Sequence, residues 1–287
     1  MNSAYKWAAT SLVGAVMLLA VTNRTDVLQA IAPSEPLQKV TAPRGWVLKQ
    51  DSENYKQGPY VAFAADWSVT TGKLKLRRGV DYADNMIINP RTFPAGTTMR
   101  WQWPGGKPPS GVYGYLHIAY GNYAGGAPVQ PVPPVQVANM PDVKTDFAVT
   151  IDGDPTRYNL LSETFLTAKP AQFATRGLEI GFLPNVSADG RSFFAGGEQL
   201  GEWRDPGGRT WKVAIRGKYC MLIPDGPTFT QGTLYFGAVI QWLIDQGRLT
   251  GQEWFNGLAI GVEPVGGRGS LRVDKWRVYP ALGAPAT

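Results

Sequence analysis

Alternation of apolar residues with small or polar ones dominates the middle of this chain, with the two-residue period of a β-strand. In residues 177–182, Leu178, Ile180 and Phe182 alternate with Gly177, Glu179 and Gly181. Residues i and i+2 of a strand share a face. One face therefore suits a core, and the other presents a single carboxylate on a floor almost bare of side chains. Residues 258–263 repeat the pattern, with Leu258, Ile260 and Val262 opposing Ala259, Gly261 and Glu263. Further strands are expected at 60–64, 73–77, 85–88, 97–103, 113–120, 143–151, 158–165, 210–216, 219–223 and 270–278, the first beginning near Trp46. Asp152-Gly153, Asp189-Gly190 and Asp225-Gly226 supply turn chemistry between them. Only 233–246 (TLYFGAVIQWLIDQ) is too long and too evenly apolar for a strand, and Gly247 follows it as a C-cap. Many strands and one packed helix predict an all-β fold: a two-sheet antiparallel sandwich, or jelly roll, with a concave groove.

Composition supports that class. Gly 34 and Pro 23 in 287 residues suit many turns, and 44% apolar content suffices for a substantial core. The net charge of +6 is mild, and the densest basic run, Lys73-Leu-Lys-Leu-Arg-Arg78, alternates with leucines like the exposed face of a strand. That is too weak a footprint for nucleic-acid binding. The single cysteine, Cys220, excludes an intrachain disulfide and a cysteine metal cluster, so no cofactor or metal is expected. The single histidine, His117, lies in an apolar strand with no nucleophile-elbow motif and reads as a structural group.

The N-terminus differs from the body. Lys6 precedes an uncharged stretch, 7–21, whose fifteen residues span about 22 Å as a helix. A bilayer core needs ~30 Å, so residues 1–30 read as a signal peptide or an uncleaved N-terminal anchor. Residues 31–45, with Pro33, Pro36 and Pro43, form a linker, 46–281 the folded domain and 282–287 a tail. The body is expected to be exported, secreted or periplasmic. Any membrane contact is confined to the N-terminal segment.

The chemistry sits on the bare faces. A lone glutamate on a strand is ordinarily a solvated charge. Here a third carboxylate joins two: residues 158–165 place Asn159, Leu161, Glu163 and Phe165 on one face, in a strand that precedes Glu179 and can pair with its strand. Carboxyl groups at short range push their pKa values apart, so Glu163 and Glu179 can share a proton. Two carboxylates facing each other across a groove are the equipment for splitting a glycosidic bond.

The order of several motifs resembles glycoside hydrolase family 12. Trp101-Gln102-Trp103 with Gly105-Gly106, the run 132–140 (VPPVQVANM), Asn159 to Phe165, Leu178-Glu179-Ile180, Gly208-Arg-Thr-Trp211 and Gly261-Val-Glu-Pro264 follow that family's sequence. The resemblance implies a jelly roll that cleaves β-1,4-glucosidic bonds in cellulose-like glucans, xyloglucan or mixed-linkage glucan, acting as a monomer. It implies Glu179 as nucleophile, Glu263 as acid/base and Glu163 as the group that orients Glu179. Trp67, Trp101, Trp103, Tyr120 and Asn159 are the candidate sugar-binding residues. The chain departs from the family at Gly181 and Leu183, where a methionine and a tryptophan are usual, and at Glu163, where an aspartate is usual. A non-catalytic glucan-binding protein, or a structural envelope protein, on the same fold is the alternative.

Overall fold

The computed structural model describes residues 35–280 apart from 107, 109 and 110. The expected signal or anchor segment and the C-terminal tail lie outside the described residues.

In chain order the strands are β1 (Val47–Gln50), β2 (Asn54–Gln57), β3 (Tyr60–Ala65), β4 (Ala83–Ile88), β5 (Thr98–Trp103) and β6 (Tyr115–Gly121). Then come β7 (Val135–Gln136), β8 (Lys144–Gly153), β9 (Tyr158–Thr167), β10 (Arg176–Asn185), β11 (Glu198–Arg204) and β12 (Thr210–Arg216). The last are β13 (Tyr219–Pro224), β14 (Gln231–Tyr235), β15 (Trp254–Phe255), β16 (Gly257–Pro264) and β17 (Gly267–Tyr279). They build a six-stranded sheet, β1-β4-β5-β17-β8-β14, and an eleven-stranded one whose main path is β11-β12-β13-β10-β9-β16-β6-β3-β2. Strand pairing is antiparallel except between β10 and β13. This is the expected jelly-roll sandwich.

The core lies between the sheets and follows the predicted parity. Ile180, Phe182, Leu258, Ile260 and Val262 are buried in it, and Leu178 packs against its margin. Met99, Trp101, Trp103, Phe147, Leu271, Val273 and Trp276 answer from the six-stranded sheet. At ~25 cal/mol per Å² of apolar surface removed from water, this double layer is the main source of stability.

Three α-helices occur among the described residues: α1 (Trp67–Thr70), α2 (Ala188–Ala195) and α3 (Phe236–Asp245). The helix expected at 233–246 starts later, because Thr233, Leu234 and Tyr235 pair with β8 as part of β14. From Phe236 the buried positions Phe236, Val239, Ile240 and Leu243 follow helical spacing. Gly247 then takes φ 69° and stops the helix. Helix α2 is not evident from apolar periodicity, because its apolar residues are few. Its signal is local: the Ser187 hydroxyl caps it by accepting from the Gly190 N–H at 3.0 Å.

The strand expected at 73–77 does not form. Leu76 reaches the core and Leu74 packs against its margin, Arg77 turns back to pair with Asp81, and only a bridge joins Arg78 to Tyr82. Strands β2 and β11 give no sequence signal because they are polar, and β14 is hidden because its second half continues into the apolar run of α3. In β11 (EQLGEWR) only Trp203 is buried.

Candidate active site

Three neighbouring strands, β10, β9 and β16, carry Glu179, Glu163 and Glu263. Glu163 stands opposite Gly181 on one side and Ala259 on the other. Small neighbours on both flanks leave room for its carboxyl group. Glu179 pairs with Phe165 and Glu263 with Asn159. Since side chains alternate, all three glutamates share the outer face of the large sheet. Glu179 and Glu263 flank the Leu161–Glu163 stretch along the strand direction. Gly261 faces Leu161, and a side chain there would collide with the carbonyl oxygen of Leu116 and the backbone of His117. The bare floor is thus needed by the backbone packing as well. A register irregularity lies on each side of residues 179–182, and bulges of this kind re-aim side chains.

The electrostatics follow from burial. Glu163 is only 4% exposed, while Glu179 and Glu263 are half-buried. The Tyr123 hydroxyl donates to Glu163 Oε1. Glu163 and Glu179 are close enough to hydrogen-bond, which two carboxyl groups can do only with a proton between them. Burial pushes Glu179 well above the usual carboxylate range, the charges of Glu163 and Glu263 add to this, and Arg176 opposes it. Burial also raises Glu163, against the bonds from Glu179 and Tyr123. Glu263 is pushed up to about 8 by burial and then by the charge of Glu163. The Asn159 Nδ2 donates to Glu263 Oε2 at 3.0 Å, and its Oδ1 accepts from the Ser187 N–H at 2.8 Å. The start of α2 therefore fixes the amide so that its donor end faces Glu263.

Aromatic residues surround the carboxylates. Tyr115 stacks on His117 with ring centroids 4.6 Å apart, and its hydroxyl donates to the Leu161 carbonyl at 3.1 Å. His117 is buried, bonded through Nδ1 to the Tyr115 carbonyl, and pushed down to about 4 by desolvation, so it is neutral at physiological pH. Tyr123 leans against His117 and Phe165, and Tyr219 lies beside Glu179 over Gly181. Beyond them, Phe194 of α2 packs with Leu183, Ala214, Met221 and Ile223 and covers the outer face toward β12.

Of the candidate residues, Glu163, Glu179, Glu263 and Asn159 come together. Three aromatic candidates lie elsewhere. Trp101 and Trp103 belong to β5 of the other sheet and point into the core, because Met99, Trp101 and Trp103 share the inward face while Arg100 and Gln102 point out. Trp103 stacks between Tyr82 and Tyr113 and donates from Nε1 to Asp84 at 2.8 Å. Tyr120 also faces the core, in register with Leu116 and Ile118, and packs on Tyr60. Trp67 opens α1, half-buried, just after Ala65, which pairs with Tyr115. The residues missed were Tyr115, Tyr123 and Tyr219. Parity carried the signal for Tyr115, since it opposes Leu116 and Ile118. A cavity of about 390 Å³, bordered by Arg100, Gln102, Asp152 and Arg268, lies on the six-stranded sheet and includes none of the glutamates. No group of acidic, histidine or cysteine residues suited to a metal ion occurs among the described residues.

No protein-family model and no curated protein matches this sequence. Solved structures do match it in fold. A family 12 xyloglucanase from Bacillus licheniformis superposes with a TM-score of 0.65 at 17% identity, covering 81% of this chain and 98% of that one. Endoglucanase 3 of family 12 from Trichoderma harzianum gives 0.64 at 16% identity, over 83% of this chain and 99% of that one. Endoglucanase cel12A from Rhodothermus marinus gives 0.62 at 18% identity, over 81% and 95%. The architecture is that of family 12 glycoside hydrolases, as the sequence resemblance leads one to expect.

Proposed function

We propose that this chain is a retaining glycoside hydrolase that cuts within β-1,4-linked glucans. The observation that carries the reading is the set Glu179, Glu163 and Glu263 on one face of three adjacent strands, two of them half-buried and one buried between them. The fold shared with solved endoglucanases and a xyloglucanase supports it. Cellulose-like glucan, xyloglucan and mixed-linkage glucan are the substrate candidates.

The chemistry is a double displacement. Ionised Glu179 attacks the anomeric carbon while the proton it shared stays on Glu163. Glu263, protonated at neutral pH because burial pushes it up to about 8, gives its proton to the departing glycosidic oxygen. It then takes a proton from the water that releases the sugar from Glu179. Asn159 holds Glu263 in place, and the buried Tyr123 holds Glu163 by donating to its carboxylate. Residues 1–30 would direct export, leaving a monomeric body secreted or periplasmic, or tethered if the segment is retained.

One observation favours the non-catalytic alternative: Leu161, between the two outer glutamates, is fully buried and fills part of the floor. The test is incubation of the purified protein, Glu179→Gln and Glu263→Gln with soluble β-glucans. New reducing ends with wild type and none with Glu179→Gln support the enzyme. Binding without cleavage by wild type supports the alternative.

A further inference from the structure

One hydrogen-bond donor near the glutamates is used by neither the fold nor the mechanism above. Tyr219 stands beside Glu179 in the parallel pairing of β10 with β13. Its side chain leans across Gly181: a Cβ there would lie 2.5 Å from Tyr219 Oη, 2.8 Å from its Cε2 and 2.9 Å from Leu161 Cδ1. The ring thus takes the space a side chain at 181 would need. The hydroxyl is buried and has no partner, yet it lies in the field of Glu179, Glu263 and Glu163. An unpaired buried hydroxyl costs free energy, and such groups persist where they have a task. Glu163 Oε1 is taken by Tyr123, and Oε2 has no donor other than the proton shared with Glu179.

We propose that Tyr219 is a positioning residue for Glu179: its hydroxyl donates to the Glu179 carboxylate once the shared proton has moved to Glu163, and so holds the nucleophile as an aimed anion. The proposal rests on the glycosidase reading. The proton leaves a Glu179 oxygen and bonds to Glu163 Oε2, with no change in total charge. Without such a donor the balance tips the other way. Tyr123 donates to Glu163, which favours charge there and a neutral Glu179. The groups facing Glu179 are Glu163 on β9, Glu263 on β16, Tyr115 on β6, Tyr123 in the loop after β6, and Arg176 on β10 itself. The two acids oppose ionisation of Glu179, Arg176 favours it, and Tyr219 is the donor on the β13 side.

Tyr219→Phe removes the hydroxyl and keeps the ring. The acid limb of its kcat/KM profile on a soluble β-glucan should move up by about one pH unit, with a loss of about tenfold below the limb, recovery on the plateau and unchanged KM. Gly181→Ala, which displaces the ring and keeps the hydroxyl, should shift the limb in the same direction. Carboxyl 13C NMR titration of glutamate-labelled protein should show Glu179 ionising at higher pH in Tyr219→Phe. A folded Tyr219→Phe with the wild-type pH profile and titration overturns the proposal. If wild type cleaves no glucan, the glycosidase reading falls, and the titration alone decides whether Tyr219 controls Glu179.

Discussion

Two clusters of buried acids lie in this molecule, and they are built for different ends. Asp51, Asp66 and Asp84 are each under 5% exposed, beside the β1–β2 turn and α1. Burial and then the charge of Asp66 raise Asp51 to about 7, and burial and then Asp51 push Asp84 well above the carboxylate range. By perturbation alone Asp51 and Asp84 match Glu163, Glu179 and Glu263. The partners of the aspartates differ. Asp66 accepts from Ser52 Oγ at 3.0 Å and Tyr82 Oη at 2.6 Å, Asp84 from Trp103 Nε1 at 2.8 Å, and Asp51 from the Asp84 N–H at 3.1 Å, while Arg78 lies 3.6 Å from Asp51. These bonds join β1, α1, β4 and β5. The glutamates instead stand on one sheet face among glycine and alanine, two of them reaching solvent. A raised pKa marks desolvation; access and an uncommitted donor mark a site.

Substitutions should separate the clusters sharply. Glu179→Gln should lower glucan hydrolysis by about 10⁴-fold or more, since no nucleophile remains, with folding unchanged by circular dichroism. Asp51→Asn should leave the same assay near wild type. Equal losses from both would erase the distinction.

Glu263→Gln comes next and should divide by substrate. Natural glucan should suffer a loss of about 10²–10⁴-fold, whereas an aryl glucoside with a good leaving group should keep a fast first step. Added azide should restore turnover on the aryl substrate, because it needs no base. Steady-state rates on both substrates, with and without azide, provide the check.

Stability should show the reverse preference. Asp51 has a folded pKa raised from 3.8 to about 7. Its contribution is therefore fully present below pH 4 and is lost as pH rises toward 7. At ~1.4 kcal/mol per unit the loss is on the order of 4 kcal/mol. Urea unfolding of wild type at pH 4.5, 6 and 8 should show stability falling, with a shallower fall in Asp51→Asn. Trp103→Phe should cost about 2–3 kcal/mol, from the lost bond to Asp84 and the space left between Tyr82 and Tyr113, with KM for glucan unchanged because Trp103 lies in the core.

The strand parity that revealed the glutamates also carried most of the fold. Ile180, Phe182, Ile260 and Val262 are inside because the two-residue period and burial agree in a sandwich. The same parity placed Glu163 beside Glu179 once β9 and β10 paired. It did not place the aromatics, since tryptophan and tyrosine suit a core and a sugar wall equally. Trp101, Trp103 and Tyr120 went to the core between the sheets; Tyr115, on the opposite face from Tyr120 in one strand, is buried in the cluster on the outer face. Tyr219 was hidden for another reason: its meaning depends on Gly181, a neighbour only through the parallel pairing of β10 and β13. Polar edge strands such as β11 gave no alternation to read.

The central claim is that Glu179 becomes covalently attached to sugar. Incubation with a 2-deoxy-2-fluoro glucoside bearing an activated leaving group slows release of the intermediate and lets it be weighed. The account predicts a mass increase of one fluoro-sugar on the peptide containing Glu179, absent in Glu179→Gln. Glucan cleavage with no such label, or a label on Glu163 or Glu263 instead, would contradict it.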